Sequence, residues 1–287
     1  MLPDIATAQS APFWEMTSSS VLAHPYNRLT SLYRWVGRII LLVPTALAFA
    51  SVCAGRSMPV DSTALPFAIG ERITYQVTLA SGSKVGTATM WIEGPVDVRG
   101  ASTLLLRFDS QLRFLLLPAV SRSSSWFDPI RRASVRFSKR ERNPLSHLDE
   151  LVELYPDEKR WKSGDGETGT SPTSSPLDEL SFIYFIRTLT MTPGARYSFD
   201  RHFDLRRNPV TVTVIRREVI PTPMGEMHVF RLEMRVRDPH HYEGEGVIRI
   251  HLSDDECRLP VRIESTMPVV GTAILTMTSE QSRCQPR

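Results

Sequence analysis

From Phe67 onward the dominant period of the chain is two. Ile73, Tyr75, Val77 and Leu79 alternate with Thr74, Gln76 and Thr78, and Val85, Thr87, Thr89 and Trp91 follow the turn Ser81-Gly82-Ser83-Lys84. Alternation places one set of side chains on a core face, so this pair predicts a β-hairpin. Later, Phe230, Leu232, Met234 and Val236 alternate with Arg231, Glu233, Arg235 and Arg237, and Ile248, Ile250 and Leu252 alternate with Arg249 and His251. Val210 to Val214 and Tyr197 to Phe203 behave similarly. Together these segments predict about ten to twelve strands with turns spaced as in sandwiches and barrels. The fold class expected is all-β: a strongly curved, mostly antiparallel sheet forming a barrel-like or spiral domain, with one buried helix near 176–189.

That helix is read from the one segment that breaks the alternation. Ser175-Pro176-Leu177-Asp178 has the order of a helix start, with Ser at the cap, Pro at the first position and an acid at the third. Leu180 to Leu189 is apolar almost all round, interrupted by Ser181, Arg187 and Thr188, and Thr192-Pro193-Gly194 stops it. A helix without a polar face belongs inside a protein, so it is expected within or against the curved sheet. The Gly-, Ser- and Thr-rich stretch 163–175 reads as a mobile loop.

Ahead of the alternating region lies a different pattern. Ile39 to Ala50 is an apolar run preceded by Arg34 and Arg38 and closing on Ala46-Leu47-Ala48 and Ala48-Phe49-Ala50. Basic flank, short apolar core and small-residue cut make a secretory signal. A spanning helix needs nearer ~20 apolar residues, and this run is shorter and contains Pro44. Residues 1–54 are therefore read as an N-terminal extension and cleaved signal, with translation starting at Met1 or Met16. Residues 55–66 are a linker, 67–281 a single β-rich domain and 282–287 a tail. The localisation expected is the periplasm, with no transmembrane span in the mature chain. A lipid anchor on Cys53 is disfavoured, because Val52 precedes it where Gly, Ala or Ser is wanted.

Export changes how the cysteines are read. Cleavage before Cys53 aside, the mature chain keeps Cys257 and Cys284, and in an oxidising compartment a pair is read first as a disulfide. Strands at about 258–265 and 272–280 around Met267-Pro268-Val269-Val270-Gly271 would bring the two together at the open end of a hairpin.

Composition adds little beyond exclusions. Of 287 residues, 41% are hydrophobic, and removing the leader leaves 31 basic and 29 acidic residues. The basic residues are spread out rather than gathered on one face, which argues against nucleic acid as a partner. The densest group, Arg131, Arg132, Arg136, Lys139, Arg140 and Arg142, reads as a solvated strand face, with anion or headgroup binding as the alternative. Asp149, Glu150 and Glu153 likewise read as a solvated edge.

The order of several short segments resembles the exported bacterial proteins of the domain of unknown function 3108 family. They are Phe67 to Tyr75, Lys84-Val85-Gly86, Asp178 to Arg187, Thr222-Pro223-Met224-Gly225, Leu252 to Asp255, and Arg258-Leu259-Pro260-Val261. The resemblance implies an all-β protein of the cell envelope and supplies no activity.

No constellation points to catalysis or a cofactor. There is no Gly-x-Ser-x-Gly and no phosphate-loop pattern. His251 and Ser253 share a strand face beside Asp254, yet Ser253-Asp254-Asp255 is explained by a strand-ending turn. Asp238, His240, His241, Glu243 and Glu245 are the one dense ligand-like set and read as a polar hairpin loop, so neither a metal nor any cofactor is assigned. Trp91, Trp126 and Trp161 are expected to pack core or edge. The apolar excess in Leu104-Leu105-Leu106 and Phe114-Leu115-Leu116-Leu117 suggests a cavity or partner surface. Leu180, Ile183, Tyr184, Leu115 and Leu117 are its candidate residues. The function expected is a non-catalytic periplasmic binding or scaffold protein meeting an envelope protein, glycan or lipid. The alternatives are a carrier of acyl chains, with the helix as its lid, and an envelope hydrolase.

Overall fold

The computed structural model describes residues 65–114, 117–143, 146–237, 245–267, 271–282 and 284. Fourteen strands among them form one antiparallel sheet. The first half comprises β1 (Arg72–Leu79), β2 (Lys84–Val98), β3 (Ala101–Phe114), β4 (Leu117–Asp128), β5 (Ala133–Asn143), β6 (Ser146–Tyr155), β7 (Arg160–Ser163) and β8 (Thr168–Thr170). Among the described residues one α-helix, α1 (Glu179–Ile186), follows. The second half comprises β9 (Arg196–Phe199), β10 (Val210–Thr222), β11 (Gly225–Arg237), β12 (Glu245–Ser253), β13 (Pro260–Met267) and β14 (Gly271–Gln281).

Each half is a meander of consecutive strands, and the halves join through β1 and β14, with Arg72 opposite Gln281 and Leu79 opposite Ala273. β8 and β9 are left as the two edges, unpaired with each other. The sheet curls, because Phe108 and Phe137 of the first half face the same small cavity as Ile263 of the second. Inward positions follow the predicted alternation: Ile73, Tyr75 and Val77 on β1, Val210, Val212 and Val214 on β10, and Ile250 and Leu252 on β12 are all buried.

The helix occupies the interior, and Leu180 to Ile186 are all buried. An eight-residue helix is too short to persist alone. Burial of Leu180, Phe182, Ile183, Phe185 and Ile186, roughly 1.5–3 kcal/mol each, holds it in place. Its start differs from the expectation. Asp178, not Ser175, is the cap: its Oδ1 accepts from Leu180 N (3.0 Å) and Ser181 N (2.9 Å), and its own N–H donates to Ser181 Oγ. Pro176 and Leu177 cannot belong to the helix because their backbone is extended and paired elsewhere. Pro176 O accepts from Ser134 N, and Leu177 exchanges bonds with Arg201 and Phe203.

The stretch 163–175 also differs from a free loop. It contains β8, and Gly169 is there for close approach rather than flexibility, since a Cβ at that position would lie 2.4 Å from the Trp161 ring. Its glycine and threonines build an edge strand that lets the indole lie flat beneath.

At the C-terminal end of α1, Arg187 is fully buried and donates to both oxygens of Glu71, at 2.6 and 2.8 Å. It also donates to Cys257 O (2.9 Å) and Pro66 O (2.9 Å). Burial alone would lower the Arg187 pKa, but the Glu71 carboxylate overcomes this and holds it above its ordinary value. Cys257 is joined to Cys284 by a disulfide, with Cα atoms 5.5 Å apart. The apolar leader segment lies outside the described residues, and no helix among them is long and apolar enough to cross a membrane.

Candidate functional site

Along β5, Val135, Phe137, Lys139 and Glu141 share the inward face, and along β6 Glu150, Val152 and Leu154 do so. Charged residues therefore stand on the apolar phase of two neighbouring strands. Lys139 and Glu141 are 2% and 1% exposed and form an ion pair at 3.1 Å. Ser121 on β4 adds a bond to the same Glu141 oxygen at 3.2 Å. Glu150 sits directly opposite Lys139 in the β5–β6 register.

The first turn of α1 and the chain after β9 complete the group. Glu179 Oε1 accepts from Arg207 Nη1 at 3.0 Å, and His202 Nε2 lies 4.0 Å from the same oxygen. Arg207 belongs to a short turn, Leu205–Arg207, started by Asp204, whose Oδ1 accepts from Arg206 N. Asn208 braces this turn, donating to His202 O and Asp204 O and accepting from His202 N. The cluster thus draws on β5 and β6 from one half of the sheet and residues 202–207 from the other. It straddles the seam where β8 and β9 fail to meet.

Its electrostatics are uneven. Three carboxylates (Glu141, Glu150, Glu179) face two cations (Lys139, Arg207). Burial, reinforced by the charge of Glu179 and only partly offset by Lys139 and Arg207, pushes the Glu150 pKa up to about 7. Burial and then the Arg207 charge push His202 down to about 4, so it is neutral at physiological pH. Its Nδ1 accepts from Asp204 N at 3.1 Å, which leaves the proton on Nε2.

Among the described residues, Glu141 Oε2, Glu150 Oε2, Glu179 Oε2, His202 Nε2 and Trp161 Nε1 are buried with no hydrogen-bond partner. Orphaned polar atoms in such density are uncommon. Glu150, Trp161, Glu179 and Arg207 line one cavity of about 10 Å³. That is space for a single water able to accept the indole N–H and donate to carboxylate oxygens. The arrangement can hold a proton or a water at the seam. No group of three or more His, Cys, Asp or Glu among the described residues is placed to hold a metal.

A second polar network anchors the helix start to the sheet. Asp178 Oδ2 accepts from Ser125 Oγ at 2.6 Å, and Ser134 Oγ donates to Ser181 Oγ at 2.7 Å. Burial raises Asp178 to about 6 in spite of these bonds.

The residues singled out by sequence fall elsewhere. Leu180, Ile183 and Tyr184 are 5%, 4% and 0% exposed and face the interior, out of reach of any external partner. The Tyr184 hydroxyl has no partner among the described residues. The cavity that Leu180 and Ile183 line measures about 10 Å³. Leu117 is exposed on β4, and Leu115 lies outside the described residues. His251 and Ser253 are not brought together. His251 Nε2 meets Glu218 Oε1 at 3.1 Å, whereas Ser253 donates to Asp255 and accepts from Leu259 N. Asp238, His240, His241 and Glu243 lie outside the described residues, and Glu245 opens β12.

Two readings need correction. Lys139 is not part of a solvated strand face and Glu150 is not part of a solvated edge, because both occupy inward positions. Their neighbours do face outward: Arg140 and Arg142 pair with Asp149, and Arg136 with Glu153. The signal was present in the sequence, as Lys139 and Glu141 continue the phase of Val135 and Phe137, and Glu150 precedes Val152 and Leu154 in the same phase.

Residues 74–278 match the family described as "Protein of unknown function (DUF3108)". No curated protein matches the chain. Among solved structures it is similar to a beta-barrel-like protein of domain of unknown function DUF1849 from Brucella abortus. That likeness has a TM-score of 0.53 at 12% identity, over 75% of this chain and 98% of that one. It shows the fold alone. A candidate lipoprotein from Parabacteroides distasonis aligns at TM-score 0.30 and 11% identity, over 76% of this chain and 98% of that one. A candidate exported protein with a YmcC-like fold from Bacteroides fragilis aligns at TM-score 0.28 and 13% identity, with the same coverage. Neither of these two carries an argument here.

Proposed function

The chain belongs to the DUF3108 family, and from that premise we propose that it is an exported, non-catalytic binding or scaffold protein of the cell envelope. Export is supported by the basic flank, apolar core and small residues of 34–50. The Cys257–Cys284 bond fits an oxidising compartment.

The observation that carries the binding reading is the packing around α1. The inner face of the helix meets a cavity of about 10 Å³, whereas pockets that enclose small ligands run to roughly 300–1,000 Å³. The cavity that Leu180 and Ile183 line among the described residues is too small for an acyl chain, which favours the helix as a plug rather than a lid. Hydrolysis has no support from the histidines and serines named above, since His251 and Ser253 each engage other partners. What remains is recognition at the outer surface and the sheet edges.

The test is mass spectrometry of the mature protein purified from the periplasm, run native and then after solvent extraction. A mass equal to the processed chain in both runs is expected. A reproducible adduct in the lipid range, removed by extraction, would replace this reading with that of an acyl-chain carrier.

A further inference from the structure

The seam cluster contains more than a stabilising contact requires. Arg207 answers Glu179, and Lys139 answers Glu141. Glu150 is the third carboxylate, and the cavity it shares with Glu179 brings an acid of β6 and an acid of α1 together beside the turn that carries Arg207. Like charges confined in this way cannot both ionise cheaply, and one retains its proton. Trp161, 6% exposed, lines the same cavity with its indole N–H unpartnered. That donor independently marks the site as built for a polar occupant.

We propose that Glu150 and Glu179 form a proton-holding pair that fastens the seam, and that loss of the shared proton loosens the turn at residues 202–208 from β6. The groups facing Glu150 decide the sign. From β5 they are Lys139 and Glu141, from α1 Glu179, from β7 Trp161, and from the turn Asp204, Arg206 and Arg207, with neutral His202 behind Glu179. With Glu150 protonated, two carboxylates balance two cations. With Glu150 ionised, the cluster gains an uncompensated negative charge, and the part that yields is the one attached from outside the sheet: the turn carrying Arg207.

The linkage follows. Glu150 holds its proton up to about pH 7 when folded and to its ordinary value of 4.5 when unfolded. Stability from this group is complete below pH 4.5, falls as pH rises towards 7, and is flat above. Asp178, raised to about 6, contributes in the same direction, and His202, lowered to about 4, in the opposite one. Both remain in a Glu150 variant, so the difference between wild type and Glu150→Gln isolates the pair.

The experiment is urea unfolding of wild type and Glu150→Gln at pH 5 and pH 8, with amide hydrogen exchange across 202–208. Between those pH values the folded-to-unfolded ratio of wild type should fall relative to the variant by on the order of 100-fold. Protection factors across 202–208, which remove the intrinsic base-catalysed rise in exchange, should fall at pH 8 in wild type alone. Identical pH dependence in the two proteins overturns the proposal. Should Glu150→Gln fail to fold, carbon-detected titration of the Glu150 carboxyl in wild type decides. A midpoint near 7 that drops in Glu179→Gln sustains the pair, and a midpoint in the ordinary carboxylate range ends it.

Discussion

Two buried charged groups hold the helix, one at each end, and they are built on opposite plans. At the C-terminal end Arg187 spends its guanidinium on both oxygens of Glu71 and on two backbone carbonyls, and neither member of the pair is left wanting. At the N-terminal end, beyond the cap of Asp178, the seam cluster leaves five buried polar atoms without partners among the described residues. A fully answered ion pair is rigid, because every alternative geometry loses bonds. A partly answered one keeps protonation as a way to change its charge. The first end of the helix is fixed, and the second is adjustable.

The contrast is broken most directly by truncating its two arginines. Arg187→Ala leaves Glu71, 1% exposed, as a buried unpaired carboxylate and should cost about 3–5 kcal/mol in urea denaturation. Arg207→Ala should cost about 1 kcal/mol, because the Glu179 side chain, 17% exposed, keeps partial access to water. Equal losses would show that the two ends are alike. Gly169→Ala sharpens the picture from the side of the indole. The added methyl would meet the Trp161 ring, so a loss of about 1–3 kcal/mol with a changed tryptophan emission is expected. Wild-type stability with unchanged emission would mean that β8 lifts away freely. Asp178→Asn keeps an acceptor at the cap and should cost no more than Arg207→Ala, about 1 kcal/mol or less. The folded pKa of Asp178 is raised from 3.8 to about 6, so this group contributes a fall in stability as pH rises through that window. The variant should lack that slope in a denaturation series across pH 3–7, and an unchanged slope would assign it to Glu150 alone.

How much of this was legible in the sequence depends on the range of the interaction. Strand alternation is local, and it yielded the all-β class and the inward faces of β1, β10 and β12. The helix was legible because Leu180 to Leu189 lacks a polar face. Its first residue was not, because Pro176 and Leu177 are claimed by Ser134, Arg201 and Phe203, partners 24 to 42 positions away. The seam cluster was half legible. The phase of Lys139, Glu141 and Glu150 was visible, but their approach to Glu179 and Arg207 depends on how the sheet curls. Arg187 was seen as an interruption in an apolar run, while Glu71 as its partner, 116 positions distant, lay beyond any local pattern.

The strand order has a consequence for where the molecule is joined and where it is parted. Read in space rather than along the chain, the sheet runs from β9 through β14 into β1 and on to β8 without a crossover. It is an ordinary up-and-down sheet whose covalent order has been cut and rejoined. The hydrogen-bonded fabric is continuous where the domain begins and ends, at β1 and β14, and interrupted where the polypeptide is continuous, between residues 171 and 195. Cohesion across that interruption falls to the helix, to side chains and to the short backbone bridge through Pro176 and Leu177. A permuted chain with β14 linked to β1 and opened ahead of Arg196 would turn every strand pairing into one between sequence neighbours. It would leave the seam, now bounded by both termini, as the place where the protein's own connectivity no longer assists.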